Sequence, residues 1–223
     1  MKILLLLAGI LVFLSCTPRM TKIEAFPEMY SEDPLTVIVL PPYNQSTAAE
    51  AKDYYTTTIS EPLANAGFYV YSVEVIHDIL KQEGLYDIES YDSIPLDKFN
   101  EYFGADAVLF IDILEWNTSY RIVSGSVTVS VDFKLVSTKT KEILWSYRGK
   151  IKVDTSGDSG NAKGLAGLIA IVATTAIKTA TTDYVPQAKK LNIKALKSIP
   201  FGKYHIRHQK DQSDMIVIQT IIK

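Results

Sequence analysis

The rhythm of apolar and polar positions changes several times along the chain, and each change marks an element. Ile3 to Leu14 is an unbroken run of apolar and small residues. Residues 17–34 have no clear period and carry three prolines, the pattern of a linker. Thr36 to Leu40 is β-rich and stops at Pro41-Pro42, which predicts a first strand. Thr47-Ala48-Ala49-Glu50 has the spacing of a capping box. Beyond it Ala51, Tyr55, Ile59 and Leu63 recur at four-residue steps, predicting a helix that Pro62 kinks late or splits. Gly67 ends that helix, and Phe68 to Tyr71 predicts a second strand. Ser72 is placed to cap a helix in which Val73, Ile76 and Leu80 share a face, closing at Gly84. Pro95 opens a short helix with Leu96, Phe99 and Phe103 inward, closing at Gly104.

In the second half the period shortens. Ala107 to Leu114 is almost wholly apolar, as in a strand buried on both faces, and Asp112 interrupts it. Val127, Val129, Val131, Phe133 and Leu135 then alternate with polar residues. After a polar turn at Ser137–Glu142, Ile143, Trp145, Tyr147 and Ile151 do the same. The two runs predict a long antiparallel hairpin, about 127–153, with one wet face. Residues 154–161 are rich in Gly, Ser and Asp. Residues 163–182 read as a helix dense in Ala, Gly, Ile and Leu, with small residues at Ala162, Ala166 and Ala170, suited to cover the hairpin. A more polar helix follows at about 185–197. The end, from His205 to Lys223, mixes charges with an apolar Met215–Ile222 segment. That end would add a strand to the sheet or to a partner, or stay disordered.

The first run has its own chemistry. Twelve apolar and small residues are too few to span a bilayer, which takes about 20, but they suit the central region of a secretory signal. Phe13-Leu14-Ser15-Cys16 resembles a bacterial lipobox, with Phe13 where leucine is commonest. Such a cysteine takes a diacylglycerol through a thioether, and cleavage before it frees an amine for a third acyl chain. Each buried CH₂ contributes about 0.8 kcal/mol, so two or three chains hold a protein on a membrane where one does not. The expected organisation is a signal peptide at 1–15, a lipidated tether at 16–34, an α/β domain at 35–205 and a C-terminal extension at 206–223. In lipoproteins that this start resembles, aspartate after the cysteine retains the protein at the inner membrane. Thr17 stands there, which favours the outer membrane, and no acidic run follows Cys16. The expected location is therefore the periplasmic face of the outer membrane.

Composition adds exclusions. The 223 residues are 47% hydrophobic and 22% charged, inside the globular range and outside that of a disordered chain. Lys and Arg number 23 against 25 Asp and Glu, so no charge excess points to nucleic acid. One cysteine excludes an intrachain disulfide and a cysteine-rich metal site.

Three histidines leave little material for acid–base or metal chemistry. Gly157-Asp158-Ser159-Gly160 looks like the nucleophile loop of trypsin-like proteases, but Asn161 replaces the further glycine and no histidine signature accompanies it. His205 and His208 are one helical turn apart without a third ligand, and read as part of a solvated tail. No phosphate loop is present. Neither a cofactor nor a metal is expected. Asp112 reads as a hydrogen-bonded structural aspartate within a buried strand. Tyr43, Asn44, Trp116 and Tyr120 fall where strands are predicted to end, which makes them a candidate interaction surface. Thirteen tyrosines suit a binding surface as well as plain packing.

Several segments together carry a resemblance. They are Val37-Ile38-Val39-Leu40-Pro41-Pro42-Tyr43-Asn44, Pro62-Leu63-Ala64-Asn65-Ala66-Gly67-Phe68-Tyr69-Val70 and Gln82-Glu83-Gly84-Leu85. Further on come Phe103-Gly104-Ala105-Asp106-Ala107, Thr118-Ser119-Tyr120, Glu142-Ile143-Leu144-Trp145 and Pro200-Phe201-Gly202-Lys203-Tyr204-His205. Over about residues 35–205 the chain resembles a family of bacterial lipoproteins named after a meningococcal antigen. That family is distantly similar to the curli-secretion lipoprotein and to the lipoprotein activator of penicillin-binding proteins. The resemblance implies an α/β (α+β) fold, a single mixed β-sheet flanked by helices, similar to the amino-terminal domain of the Tol translocation β-propeller protein. It implies no enzyme activity and no cofactor. The implied role is a lipoprotein that binds another envelope protein, such as a curli-secretion-like lipoprotein, in a secretion or surface-assembly complex. Two alternatives stand beside it: a ring-forming pore subunit that donates the 127–153 hairpin, and a cell-envelope hydrolase.

Overall fold

The computed structural model describes residues 19–85, 94–121, 124–154 and 184–217. The lipobox, the 157–160 loop and the expected 163–182 helix lie outside the described residues. The chain enters as β1 (Arg19–Thr21), α1 (Lys22–Ala25) and α2 (Pro27–Glu32). β2 (Thr36–Val39) and the short β3 (Tyr43–Asn44) follow, then α3 (Ala51–Thr56), α4 (Ser60–Asn65), β4 (Tyr69–Val70) and α5 (Val73–Gln82). After α6 (Leu96–Phe103) come the long strands β5 (Ala107–Arg121), β6 (Ser124–Ser137) and β7 (Ile143–Asp154). α7 (Val185–Leu196) and β8 (Met215–Val217) complete the order.

One six-stranded mixed sheet organises the domain, in the order β4-β2-β5-β6-β7 with β3 also paired to β5. β2 pairs parallel with β4 and with the start of β5; β5, β6 and β7 are antiparallel. Pro41 and Pro42 have no N–H for the ladder, so pairing lapses there and resumes when β3 joins β5 at Asp112 and Ile113. The parallel part is buried on both faces. Val37, Val39, Ala107 and Leu109 face the main core, while Ile38, Leu40 and Val108 face a second cluster built with Ile76 and Leu80 of α5 and Phe99 of α6. The hairpin has one covered face and one solvated face, as antiparallel sheets commonly do.

The wet face is drier than its sequence suggests. Ser126, Thr128 and Ser130 are buried although polar. They stand on the middle strand of three, where Thr128 and Ser130 face Lys152 and Lys150 of β7. Lys150 reaches Glu115 at 2.5 Å, and Ser130 is the residue paired with both.

α5 and α6 follow their expected bounds. The Ser72 hydroxyl accepts from the Val75 N–H at 3.4 Å, and Gly84 and Gly104 take the positive φ that ends each helix. The four-residue stripe Ala51, Tyr55, Ile59 and Leu63 is wholly buried. It spans two helices, because Pro62 has no N–H to offer the Thr58 carbonyl. That carbonyl instead accepts from Asn192 Nδ2 of α7 at 3.0 Å, so the split is closed by tertiary structure.

Four expectations need correction. The box at Thr47–Glu50 does not cap α3, whose N-cap is Glu50 without a side-chain bond. A capping box does form at Thr21 and Glu24, ahead of α1. Residues 19–34, expected as part of a tether, are built into the fold. The segment after residue 205, expected as an extension and a solvated tail, is folded as far as Val217. β8 does not join the main sheet: it pairs with β1 in a separate two-stranded ribbon. In the part described, α7 covers the hairpin; the expected cover by 163–182 lies outside the described residues. α7 lies so close that a Cβ on Gly149 would come within 2.6 Å of Leu191 Cδ1.

Candidate functional site

Of the candidate surface residues, the structure brings Tyr43 and Asn44 beside Asp112 and Ile113 of β5 and leaves Trp116 elsewhere. Tyr43 is 39% exposed and offers its ring to solvent. Asn44 holds a turn: its Oδ1 accepts from the Ser46 N–H at 3.0 Å and its Nδ2 donates to the Ala48 carbonyl at 2.6 Å. Trp116 is only 1% exposed, so as folded it is core and not contact surface. The cause is a β-bulge at Leu114, where the register jumps between Ile113 and Glu115. The extra residue shifts the alternation by one, so Trp116 joins Ile111 and Ile113 on the core side. Its ring stacks on Tyr184 at 4.9 Å, and its buried indole N–H has no hydrogen-bond partner among the described residues. Tyr120 pairs with Gly125 through the backbone; its side chain lies outside the described residues. Cys16 lies outside them too, three positions before Arg19.

Asp112 is 28% exposed, with Lys134 Nζ at 4.0 Å, and is not the buried group its strand suggested. The three histidines lie on α5 and in the loop that precedes β8. His77 lies on α5, where burial, helped by Lys81 and Lys52, pulls its imidazole below the usual range. His205 stacks on Phe201 at 3.7 Å, and His208 Nδ1 lies 3.0 Å from the Phe201 carbonyl. Among the described residues no group of three His, Cys, Asp or Glu side chains is placed to hold a metal.

Sequence reasoning missed the most enclosed ion pair among the described residues. Lys22 Nζ reaches Asp211 Oδ2 at 2.8 Å and the Ile199 carbonyl at 2.7 Å, and lies 4.3 Å from the centre of the Phe201 ring. Asp211 also accepts from the Phe201 N–H at 3.0 Å and the Tyr30 hydroxyl at 3.1 Å. Burial, then the Asp211 charge, pushes the Tyr30 phenol well above its usual range. Both carboxylate oxygens and the ammonium thus have hydrogen-bond partners besides each other, which helps to keep charge in a protein interior. The partners lie 189 positions apart and no local pattern links them.

The motif segments prove to be joints. Gly67 and Gly202 meet backbone to backbone: the Gly202 N–H donates to the Ala66 carbonyl at 2.9 Å, and the Tyr204 N–H to the Gly67 carbonyl at 3.0 Å. Asp106 ties β2 to β5 and to the β6–β7 turn. Its carboxylate accepts from the Leu35 and Thr36 N–H groups at 3.0 and 3.2 Å and from Lys139 Nζ at 3.0 Å. Burial alone would raise its pKa, but these bonds outweigh it and hold the carboxyl below the usual range.

Comparison with known proteins gives the chain its relations. The family model described as "Putative lipoprotein GNA1162-like" matches residues 25–199. The chain belongs to the GNA1162-like lipoprotein family. A curated relative, "Putative lipoprotein NMB1124/NMB1162" of Neisseria meningitidis serogroup B, is 29% identical over 184 residues, covering 82% of this chain and 84% of that one. The crystal structure of lipoprotein GNA1162 from Neisseria meningitidis matches with a TM-score of 0.52 and 28% identity, over 67% of this chain and all of that one. A PelC dodecamer from Paraburkholderia phytofirmans matches with a TM-score of 0.47 and 15% identity, over 74% of this chain and 87% of that one. The mixed sheet with flanking helices is thus a fold this GNA1162-like chain shares with a solved relative. The Pro200–His205 motif, which supplies Gly202 to the glycine joint, falls just beyond the family match.

Proposed function

We propose that this GNA1162-like chain is a non-enzymatic lipoprotein, anchored through acylated Cys16 at the periplasmic face of the outer membrane. Its α/β domain binds another envelope protein, in a secretion or surface-assembly complex. The observation that carries this reading is the family match over 25–199, set behind a lipobox-like segment that ends at the chain's sole cysteine. The family's motif residues support it, because they act as joints and turns and not as a reacting constellation. Tyr43, Tyr54, Tyr69, Tyr102 and Tyr204 stand at the surface, each with apolar area and a polar tip for a partner. A lipid anchor makes a weak contact local, so modest affinity suffices. A curli-secretion-like lipoprotein is the partner that the sequence resemblance favours.

The cover of the hairpin by α7 favours this reading over a pore. A membrane-inserted hairpin would first have to shed Leu191 from Gly149. Crosslinking in intact cells, followed by mass spectrometry of the adducts, tests the proposal. It predicts a diacylglyceryl mass on Cys16, loss of membrane association in Cys16→Ser, and a specific envelope protein among the adducts. Processed protein with an unmodified start, or adducts with no recurrent partner, would overturn it.

A further inference from the structure

The ribbon of β1 and β8 has two unlike faces. Ile216 points inward and is 8% exposed, while Met215 and Val217 flank it and are 60% and 46% exposed. Side chains directly opposite in an antiparallel pair share a face. Met215 is opposite Thr21 and Val217 is opposite Arg19. The outer face is therefore two apolar side chains, a threonine and an arginine. Apolar groups beside a cation suit the boundary between acyl chains and lipid phosphates.

The position of the ribbon says what would cover this face. Arg19 is three residue steps from Cys16, and even fully extended these span at most about 10 Å. The ribbon cannot stray from the membrane, because β1 continues directly into α1 and the buried Lys22–Asp211 pair fastens that helix to the body of the domain. A chain acylated at Cys16 would have its lipid within three positions of a folded element.

We propose that the outer face of the β1–β8 ribbon rests on the lipid surface, with Met215 and Val217 among the head groups and Arg19 against a phosphate. This rests on the acylation of Cys16 proposed above. Two apolar side chains would bind a membrane weakly in free solution; held within about 10 Å of it they need only a local preference. The foot fixes which side of the domain faces away from the membrane, and so which tyrosines a partner meets.

The test uses full-length lipidated protein carrying Val217→Trp, reconstituted in vesicles of phosphatidylethanolamine and phosphatidylglycerol with brominated acyl chains. The native Trp116 and Trp145 are 1% and 0% exposed and supply a background measured in the unsubstituted protein. The expected result is loss of most of the added emission in brominated against unbrominated vesicles, with the background unchanged. Should Val217→Trp fail to fold, as judged by near-ultraviolet circular dichroism, Met215→Trp replaces it. Undiminished emission from acylated protein that floats with the vesicles would overturn the foot and leave the anchor standing. Protein with no acyl mass on Cys16 would overturn the anchor, and the foot with it.

Discussion

Lys22 and Asp211 form an ion pair whose side chains are 2% and 0% exposed, and it joins the first described turn of helix to the last loop before the terminal strand. Removing either partner strands the other charge in the interior, which costs about 3–5 kcal/mol. Lys22→Met and Asp211→Asn are each expected to lower stability by that order in urea unfolding. Lys22→Met combined with Asp211→Asn should lose less than the sum of the single changes, because no bare charge remains. Strict additivity would contradict the pairing.

Gly67 and Gly202 leave no room for side chains. A Cβ on Gly202 would lie 2.4 Å from the Gly67 carbonyl oxygen, and one on Gly67 would lie 2.6 Å from the Gly202 oxygen. Gly67 also has φ +97°, which disfavours any L side chain. Both alanine variants should lose roughly 1–3 kcal/mol from the clash, with Gly67→Ala the worse. Gly84→Ala is the control, since it has positive φ but open space around it. Thermal unfolding that ranks Gly84→Ala with the other two would refute the close approach as the cause.

Asn192 substitutes for a missing helical bond. Its Nδ2 serves the Thr58 carbonyl that Pro62 cannot reach, and its Oδ1 accepts from the buried Tyr55 hydroxyl. Asn192→Leu leaves both groups unpaired in the core and should cost about 3 kcal/mol. Adding Tyr55→Phe removes one orphan and should recover part of the loss. A double variant no better than Asn192→Leu in chemical denaturation would show that the hydroxyl is satisfied elsewhere.

Asp106 predicts how stability responds to acid. Its folded pKa lies below the unfolded value, about 3.9. Its contribution is therefore complete well above that unfolded value and is lost as pH falls through the folded pKa. Asp106→Asn should destabilise at neutral pH and flatten the acid limb of a stability–pH curve. An unchanged acid limb would mean that other carboxylates carry the dependence.

Elements whose signals are local stood out in the sequence. α5 and α6 were bounded by Ser72, Pro95, Gly84 and Gly104, because capping and positive φ are decided within one turn of chain. The hairpin showed in its alternation. β5 was cut short at Leu114, since the bulge there resets the alternation and makes one strand look like an ended one. The same shift made Trp116 look like a loop residue when it is core.

The sequence by itself determined the strand at 36–39, the helices α5 and α6, the buried stripe from Ala51 to Leu63 and the hairpin, all from periodicity and caps acting over a few residues. It also carried the family motifs. Only the tertiary structure decided that residues 19–34 and 206–217 belong to the fold, that Asn192 completes a broken helix, and that Met215 and Val217 face outward beside Arg19. Those outcomes depend on partners more than a hundred positions away, and pairing over that distance leaves no trace in the spacing of neighbours along the chain.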